Sequence, residues 1–234
     1  MLRLAIDSAT RTAAVALQRD GTVVAEDFCN NGLTHSQTLL PTVQRLLEEE
    51  GVACSRIDEI AVTVGPGSFT GVRIGISTAK GLAMGADAKV IGVSSLAAAA
   101  YSFEGGEDHA LICPCFDARC TQVYNAMFER SGGKLTRLCE DRALTITELS
   151  EAIRAARLPV YVCGDGTELV CKVCPEAVPV PEEKRYITGR GVLRAAEGAP
   201  AQDFKEVVPA YLRLSQAQRE RENRLKNETK GERK

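Results

Sequence analysis

The chain has no tryptophan and only two histidines in 234 residues, His35 and His109. They stand far apart in no HxxxH or other metal-ligand spacing, which argues against a histidine-based metal centre. Basic and acidic residues nearly balance, 29 against 31, for a net charge of −2. No basic stripe with interleaved aromatics occurs in the expected folded part, so the chain advertises no nucleic-acid surface of its own, and any link to RNA runs through a partner. Apolar runs such as Ile60–Val64 are strand-sized and far too short to span a bilayer. Met1-Leu2-Arg3 leads straight into a strand pattern without a basic region, a long apolar stretch or a small-residue cleavage site, so the expected compartment is the cytoplasm. No Gly-Lys-Ser/Thr closes a phosphate loop, and Ser68 lies in GPGSFTG, which is not a GxSxG nucleophile elbow.

Cysteine is present in an odd number, nine. With no export signal, that count speaks against a disulfide framework. Cys113/Cys115 and Cys171/Cys174 have spacings that raise a four-cysteine zinc site. However, Cys113 and Cys115 stand two apart in an apolar strand and share one face of it, so buried inert thiols are the preferred reading.

What is there is an order of elements that occurs twice. Leu2–Asp7, Thr12–Gln18 and Thr22–Phe28 read as three strands, the last two joined by a hairpin turn at Arg19-Asp20-Gly21. A helical pattern follows from about Ser36 to Glu50, with Pro41 marking either a later start or a kink. Then come a strand over Ile57–Val64, a glycine loop over Gly65–Gly71, a helix to about Met84, a strand over Lys89–Val93 and a short alanine-rich helix. Glu104-Gly105-Gly106-Glu107-Asp108 is a polar break, which divides the chain into halves at 1–104 and 105–218, with a charged tail over 219–234. In the second half, strands over Ala110–Asp117, Thr121–Glu129 and Lys134–Cys139 precede a helix over Thr147–Arg157 and a strand over Val160–Cys163. The glycine loop Gly164-Asp165-Gly166 then opens a helix near Glu168–Cys174. Asp7 and Asp117 end the first strand of each half, and Gly65 and Gly164 follow corresponding strands. The expectation is a duplicated α/β fold with a cleft between its halves.

The candidate residues sit on these landmarks. The loop with Gly65 and Gly67 joins a strand to a helix N-terminus, where free N–H groups favour an anion, but it is equally a tight, close-packed turn. It is not a dinucleotide fingerprint: Gly65, Gly67 and Gly71 are spaced GxGxxxG, and Asp87, the acid some twenty residues on, precedes a strand where it should end one. Asp7 and Asp117 face the expected cleft, with a metal–phosphate role or an ordinary strand-end cap both open. On the helices, Leu40, Val43 and Leu47 form one apolar stripe, and Val72, Ile76 and Ala83 flank the small residues Gly71, Gly75 and Ala79. Such a stripe packs on a partner or on the chain's own sheet.

Asp58–Gly75 (DEIAVTVGPGSFTGVRIG) closely resembles the signature of the TsaB family. The resemblance runs over most of the chain, in Ala5-Ile6-Asp7, His35-Ser36-Gln37 with Leu39-Leu40-Pro41, and Ala79-Lys80-Gly81-Leu82. It continues in Asp117-Ala118-Arg119 with Val123-Tyr124, in Gly164-Asp165-Gly166, and in Pro209-Ala210-Tyr211-Leu212-Arg213. It implies an actin/Hsp70-like (ribonuclease H-like) fold, with two mixed sheets flanked by helices. It also implies a non-catalytic subunit that pairs with a TsaD-like catalytic paralogue and a TsaE-like ATPase in threonylcarbamoyl transfer to the tRNA adenosine beside the anticodon.

By the same resemblance the first two helices form the pairing surface, here Leu40, Val43, Leu47, Val72, Ile76 and Ala83. A homodimer is expected when the partner is absent, and Ile76→Glu is expected to stay folded while losing partners. Catalytic relatives carry a paired-histidine metal motif that this sequence lacks. Ser8-Ala9 stands where family members often have Thr-Ser, which weakens phosphate binding at the first loop. No cofactor is required by this reading. Weak ATP or ADP binding stays open at a vestigial cleft of Asp7, Gly65, Gly67, Asp117, Gly164 and Gly166. The alternative is an autonomous nucleotide-dependent phosphotransferase or ATPase using that cleft; an independent metalloprotease lacks the histidine pair.

Overall fold

The structure, a computed structural model, describes residues 1–213. The tail expected over 219–234 lies outside the described residues. In the first half, β1 (Leu2–Asp7), β2 (Ala13–Arg19) and β3 (Thr22–Cys29) form an antiparallel meander. Helix α1 (His35–Glu49) then leads to β4 (Glu59–Gly65), which lies parallel to β1. Helix α2 (Phe69–Ala86), β5 (Lys89–Ser94) and α3 (Ser95–Ser102) complete the half. Pro41 stands on the exposed side of α1 without ending it. Ser68 caps α2 by accepting the Gly71 amide, and Asp87 closes it in a left-handed conformation.

The second half has β6 (Ala110–Asp117), β7 (Gln122–Ser131), β8 (Lys134–Thr145), α4 (Ile146–Arg154), β9 (Val160–Cys163), α5 (Thr167–Cys171) and β10 (Val178–Pro179). The sheets run β3-β2-β1-β4-β5 and β8-β7-β6-β9-β10, so each half places its first strand at the centre and its strands in the same order. The pairing senses repeat as well: two antiparallel ladders, then two parallel ones. This is the duplicated α/β fold. Strand β8 runs six residues beyond the expected Cys139, through Glu140, Asp141 and Arg142. It is an edge strand, where charged side chains reach solvent and block pairing with other chains.

The two-residue period of the strands sorts the core into layers. Leu4, Ile6, Val15 and Leu17 face α1 and α2 on one side of the first sheet. Ala5 and Ala16 face the other side, where α3 and α6 (Gly189–Ala195) meet Ile112 and Phe128 of the second sheet. Cys113 and Cys115 share the remaining face with Leu149 of α4 and Val170 of α5, fully buried. Burial in that apolar layer pushes the Cys113 and Cys115 thiols up and keeps them protonated.

The chain does not stay in its second half. Helix α6 packs on α3, β1 and β2, Gln202 exchanges backbone hydrogen bonds with Val90 at 3.0 and 2.9 Å, and Val207 is buried in the first-half core. Residues 189–211, expected with the second half, pack on the first. Among the described residues no helix is long and apolar enough to cross a membrane.

Candidate functional site

The loops that follow β1, β4, β6 and β9 line a cleft of about 580 Å³. Thr10, Arg11, His35, Ser68, Phe69, Asp117, Arg119, Asp165, Tyr211 and Arg213 line it. Gly67 and Asp117 are the candidates that reach its wall; Asp7, Gly65, Gly164 and Gly166 stand behind it.

Asp7 is fully buried at the end of β1. Its Oδ1 accepts from the Thr63 hydroxyl at 2.6 Å and the Ala9 amide at 3.1 Å, and its Oδ2 has no hydrogen-bond partner. Burial pushes its carboxyl up to about 6 against the opposing pull of those two donors. Asp117 is half-buried and accepts the Arg119 amide at 2.7 Å, with the Arg119 guanidinium 3.4 Å from its other oxygen. It caps the turn between β6 and β7. Asp165 accepts the Asp117 amide at 3.1 Å, and burial raises its carboxyl while that bond opposes the rise. Sequence reasoning passed over Asp165 as a loop residue; only its place in Gly164-Asp165-Gly166 hinted at it.

The space a side chain would need at these glycines is filled by the chain's own atoms. A Cβ on Gly67 would stand 2.2 Å from the Ala9 carbonyl oxygen, one on Gly71 2.2 Å from that of Ser8, and one on Gly75 2.5 Å from the Ser8 hydroxyl. Gly65 meets the Ala210 carbonyl oxygen at 2.6 Å in the same sense, and Gly164 and Gly166 meet Cys115 at 2.4 and 2.9 Å. Close packing of loops at the strand ends accounts for all six with no ligand. His35 Nε2 is bonded to the Thr10 carbonyl at 2.7 Å. Among the described residues, no group of three or more histidines, cysteines or carboxylates is placed to hold a metal ion.

The helical pairing stripe needs correction. Val43, Leu47, Val72, Ile76 and Ala83 are 0–5% exposed and belong to the core between α1, α2 and the first sheet. Of the six, Leu40 alone is exposed. The reason is geometric: a helix lying on a sheet spends its apolar stripe on that sheet, and a 3.6-residue period reveals the stripe without saying what covers it. The outward face is carried by Leu40, Pro41 and Gln44 on α1 and by Arg73, Ser77, Gly81, Met84 and Gly85 on α2. On that face a Cβ at Gly81 or Gly85 would meet nothing within 4 Å.

Two sheets of one strand order, with a cleft lined by the loops at their strand ends, define a protein of the duplicated α/β class. A family model described as TsaD, tRNA N6-adenosine threonylcarbamoyltransferase, matches residues 30–219. The tRNA threonylcarbamoyladenosine biosynthesis protein TsaB of Bacillus subtilis (strain 168) is 32% identical over 93% of this chain and 96% of its own length. TsaB of Escherichia coli (strain K12) is 44% identical over 54% of each chain. A crystal structure from Pseudomonas aeruginosa, described as similar to peptidase YeaZ, superposes with a TM-score of 0.77 at 28% identity, over 91% of this chain and 99% of that one. The chain belongs to the TsaB family.

Proposed function

We propose that this chain is the non-catalytic subunit of the complex that transfers threonylcarbamoyl to the tRNA adenosine beside the anticodon. It pairs through the outward face of α1 and α2 with a TsaD-like catalytic subunit, and the TsaE-like ATPase joins that pair. Alone, it forms a homodimer through the same face. The tRNA is met only through the complex, in the cytoplasm, and no cofactor is required of this chain; any ATP or ADP binding is weak.

One observation carries the pairing surface. Glycine in a helix interior costs roughly 0.5–1 kcal/mol relative to alanine. Gly71 and Gly75 repay that cost within the chain, since Ser8 fills the space beside them. Gly81 and Gly85 face open space, so nothing in the described chain requires them. A smooth strip of Ser77, Gly81 and Gly85, one helical turn apart and beside the 74%-exposed Met84, suits a helix approaching from another subunit.

The idle cleft is supported by its carboxylates. Asp7 is sealed behind Thr63 and Ala9, and Asp117 is spent on its own turn. The test is reconstitution of tRNA modification with and without this chain, alongside ATP hydrolysis by the chain alone. Modification that needs the chain, with no enzyme-like hydrolysis by it alone, is expected. Enzyme-like hydrolysis that is lost in Asp7→Ala or Asp117→Ala would instead establish the autonomous ATPase.

A further inference from the structure

Three residues near the end of the described chain, Ala210, Tyr211 and Arg213, bridge the cleft. The Ala210 amide donates to the Val64 carbonyl at 2.7 Å, at the end of β4. The Tyr211 ring then stacks on Phe69 in the first turn of α2, with centroids 4.9 Å apart and planes 24° apart. Arg73, one turn further along α2, lies 4.0 Å over the Phe69 ring and donates its Nε to the Tyr211 hydroxyl at 2.7 Å. Two residues on, the Arg213 guanidinium donates to the carbonyl of Ala118 at 2.5 Å and to that of Arg119 at 3.4 Å, across the cleft in the second half.

The turn that Arg213 holds is unusual. Arg119, Cys120 and Thr121 have φ of 65°, 53° and 59°, three successive non-glycine residues in the left-handed region, the last of them β-branched. Such a turn persists only when its surroundings over-determine it. Asp117 accepts the Arg119 amide, and Arg213 donates to the Ala118 and Arg119 carbonyls. Tyr211, Arg213, Phe69, Asp117 and Arg119 all line the same cavity.

We infer that Pro209–Arg213 is a latch between the two halves. Tyr211 anchors it to α2, Arg213 pins the turn between β6 and β7, and the two contacts form and break together, setting the width of the cleft. The anchor is half exposed, so the latch opens from the native state at far lower cost than unfolding. When it opens, the left-handed turn loses one of the contacts that hold it. The inference does not depend on the pairing surface or on the role in tRNA modification.

Hydrogen exchange on the full chain, in Tyr211→Ala and in Arg213→Ala, tests the coupling. Tyr211→Ala is expected to speed exchange of the Ala118, Arg119 and Gln122 amides tenfold or more, although none of the ring's contacts above involves them. Reciprocally, Arg213→Ala is expected to speed exchange of the Ala210 amide to a similar degree. The amides of β1 and β4 keep their wild-type rates in both variants. The latch is overturned if each substitution loosens only its own end, with the far end within twofold of wild type. A uniform rise that includes β1 and β4 overturns it as well, since the segment then acts as part of the global fold.

Discussion

Ser8 and Gly71 lock the first loop of the cleft to helix α2: the serine hydroxyl donates to the glycine carbonyl at 2.9 Å, and the serine carbonyl fills the place of a Cβ on the glycine. The same serine hydroxyl blocks a Cβ on Gly75. One helix thus carries two kinds of glycine, and they respond oppositely to alanine. Gly71→Ala and Gly75→Ala force backbone or Ser8 to move and lower stability by about 1–3 kcal/mol, despite the better helix propensity. Gly81→Ala and Gly85→Ala enter open space and raise it by about 0.5–1 kcal/mol each. Urea midpoints of the four variants, taken at a dilution where the chain is monomeric, check the sign; a loss of stability at Gly81 equal to that at Gly75 would show that the outward face is packed within the monomer.

Ile76→Glu unfolds the chain. Ile76 is 5% exposed in the layer between α2 and the first sheet, among Ile6, Val62 and Val72. A carboxylate there is taken out of water into an apolar layer, and the cost of burying it, several kcal/mol, is a large share of an ordinary domain's stability. Loss of the far-ultraviolet dichroism of the native chain, or a thermal midpoint lowered by more than ten degrees, is the expected result. A folded Ile76→Glu of wild-type stability would return this residue to the surface.

The contrast between Ile76 and Gly81 marks how far the sequence is legible. Strand alternation, the turn at Asp20-Gly21 and the paired landmarks Asp7/Asp117 and Gly65/Gly164 reveal the duplication, because local chemistry dictates them. Helix α2 was legible as a helix with a smooth apolar stripe, yet its covering sheet was not, since Gly75 and Gly81 are the same residue type in opposite surroundings. Asp7 was legible as a strand-end carboxylate, whereas its seal by Thr63, 56 positions away, is a product of the parallel pairing of β1 and β4. The return of Val207 and Tyr211 to the first half carries no local signal, because both contacts join residues more than a hundred positions apart.

Asp7 makes stability depend on pH in an unusual direction. Its folded-state carboxyl is pushed up to about 6 from an ordinary 3.8. Between those values the native chain binds a proton that the unfolded chain does not, so this group's contribution to stability falls as pH rises from about 4 to 6 and stays low above. The expected span is on the order of 1–3 kcal/mol, attributable to burial of the unpartnered Oδ2. Asp7→Asn keeps an acceptor for Thr63 and Ala9 and removes the charge. Urea unfolding from pH 4.5 to 7 therefore shows wild type losing stability relative to Asp7→Asn as pH rises. Parallel curves would mean that Asp7 has an ordinary carboxyl in the folded chain.

Gly81→Leu separates partner binding from folding, which Ile76→Glu cannot do. The substitution is at an exposed site with no neighbouring atom within reach of a Cβ, and leucine is the better helix former by roughly 0.8 kcal/mol. Compared at a dilution where wild type is also monomeric, the chain is therefore expected to keep its dichroism and to melt no lower than wild type. Against a partner the effect reverses. Small residues allow helix axes to approach to about 8 Å, the lower end of the usual packing range, and a leucine in the middle of the strip forces them apart. Met84, beside the strip on the same helix, then loses its contacts with the incoming subunit along with the glycine itself. The expected outcome is a tenfold or greater rise in Kd for a TsaD-like subunit, loss of self-association in light scattering, and a matching fall in reconstituted tRNA modification at limiting concentration. Gly81→Ala, smaller by three carbons, should retain most of the pairing. If Gly81→Leu is folded and pairs with wild-type affinity, the outward face of α2 is not where the subunits meet, and its two unfilled glycines need another cause.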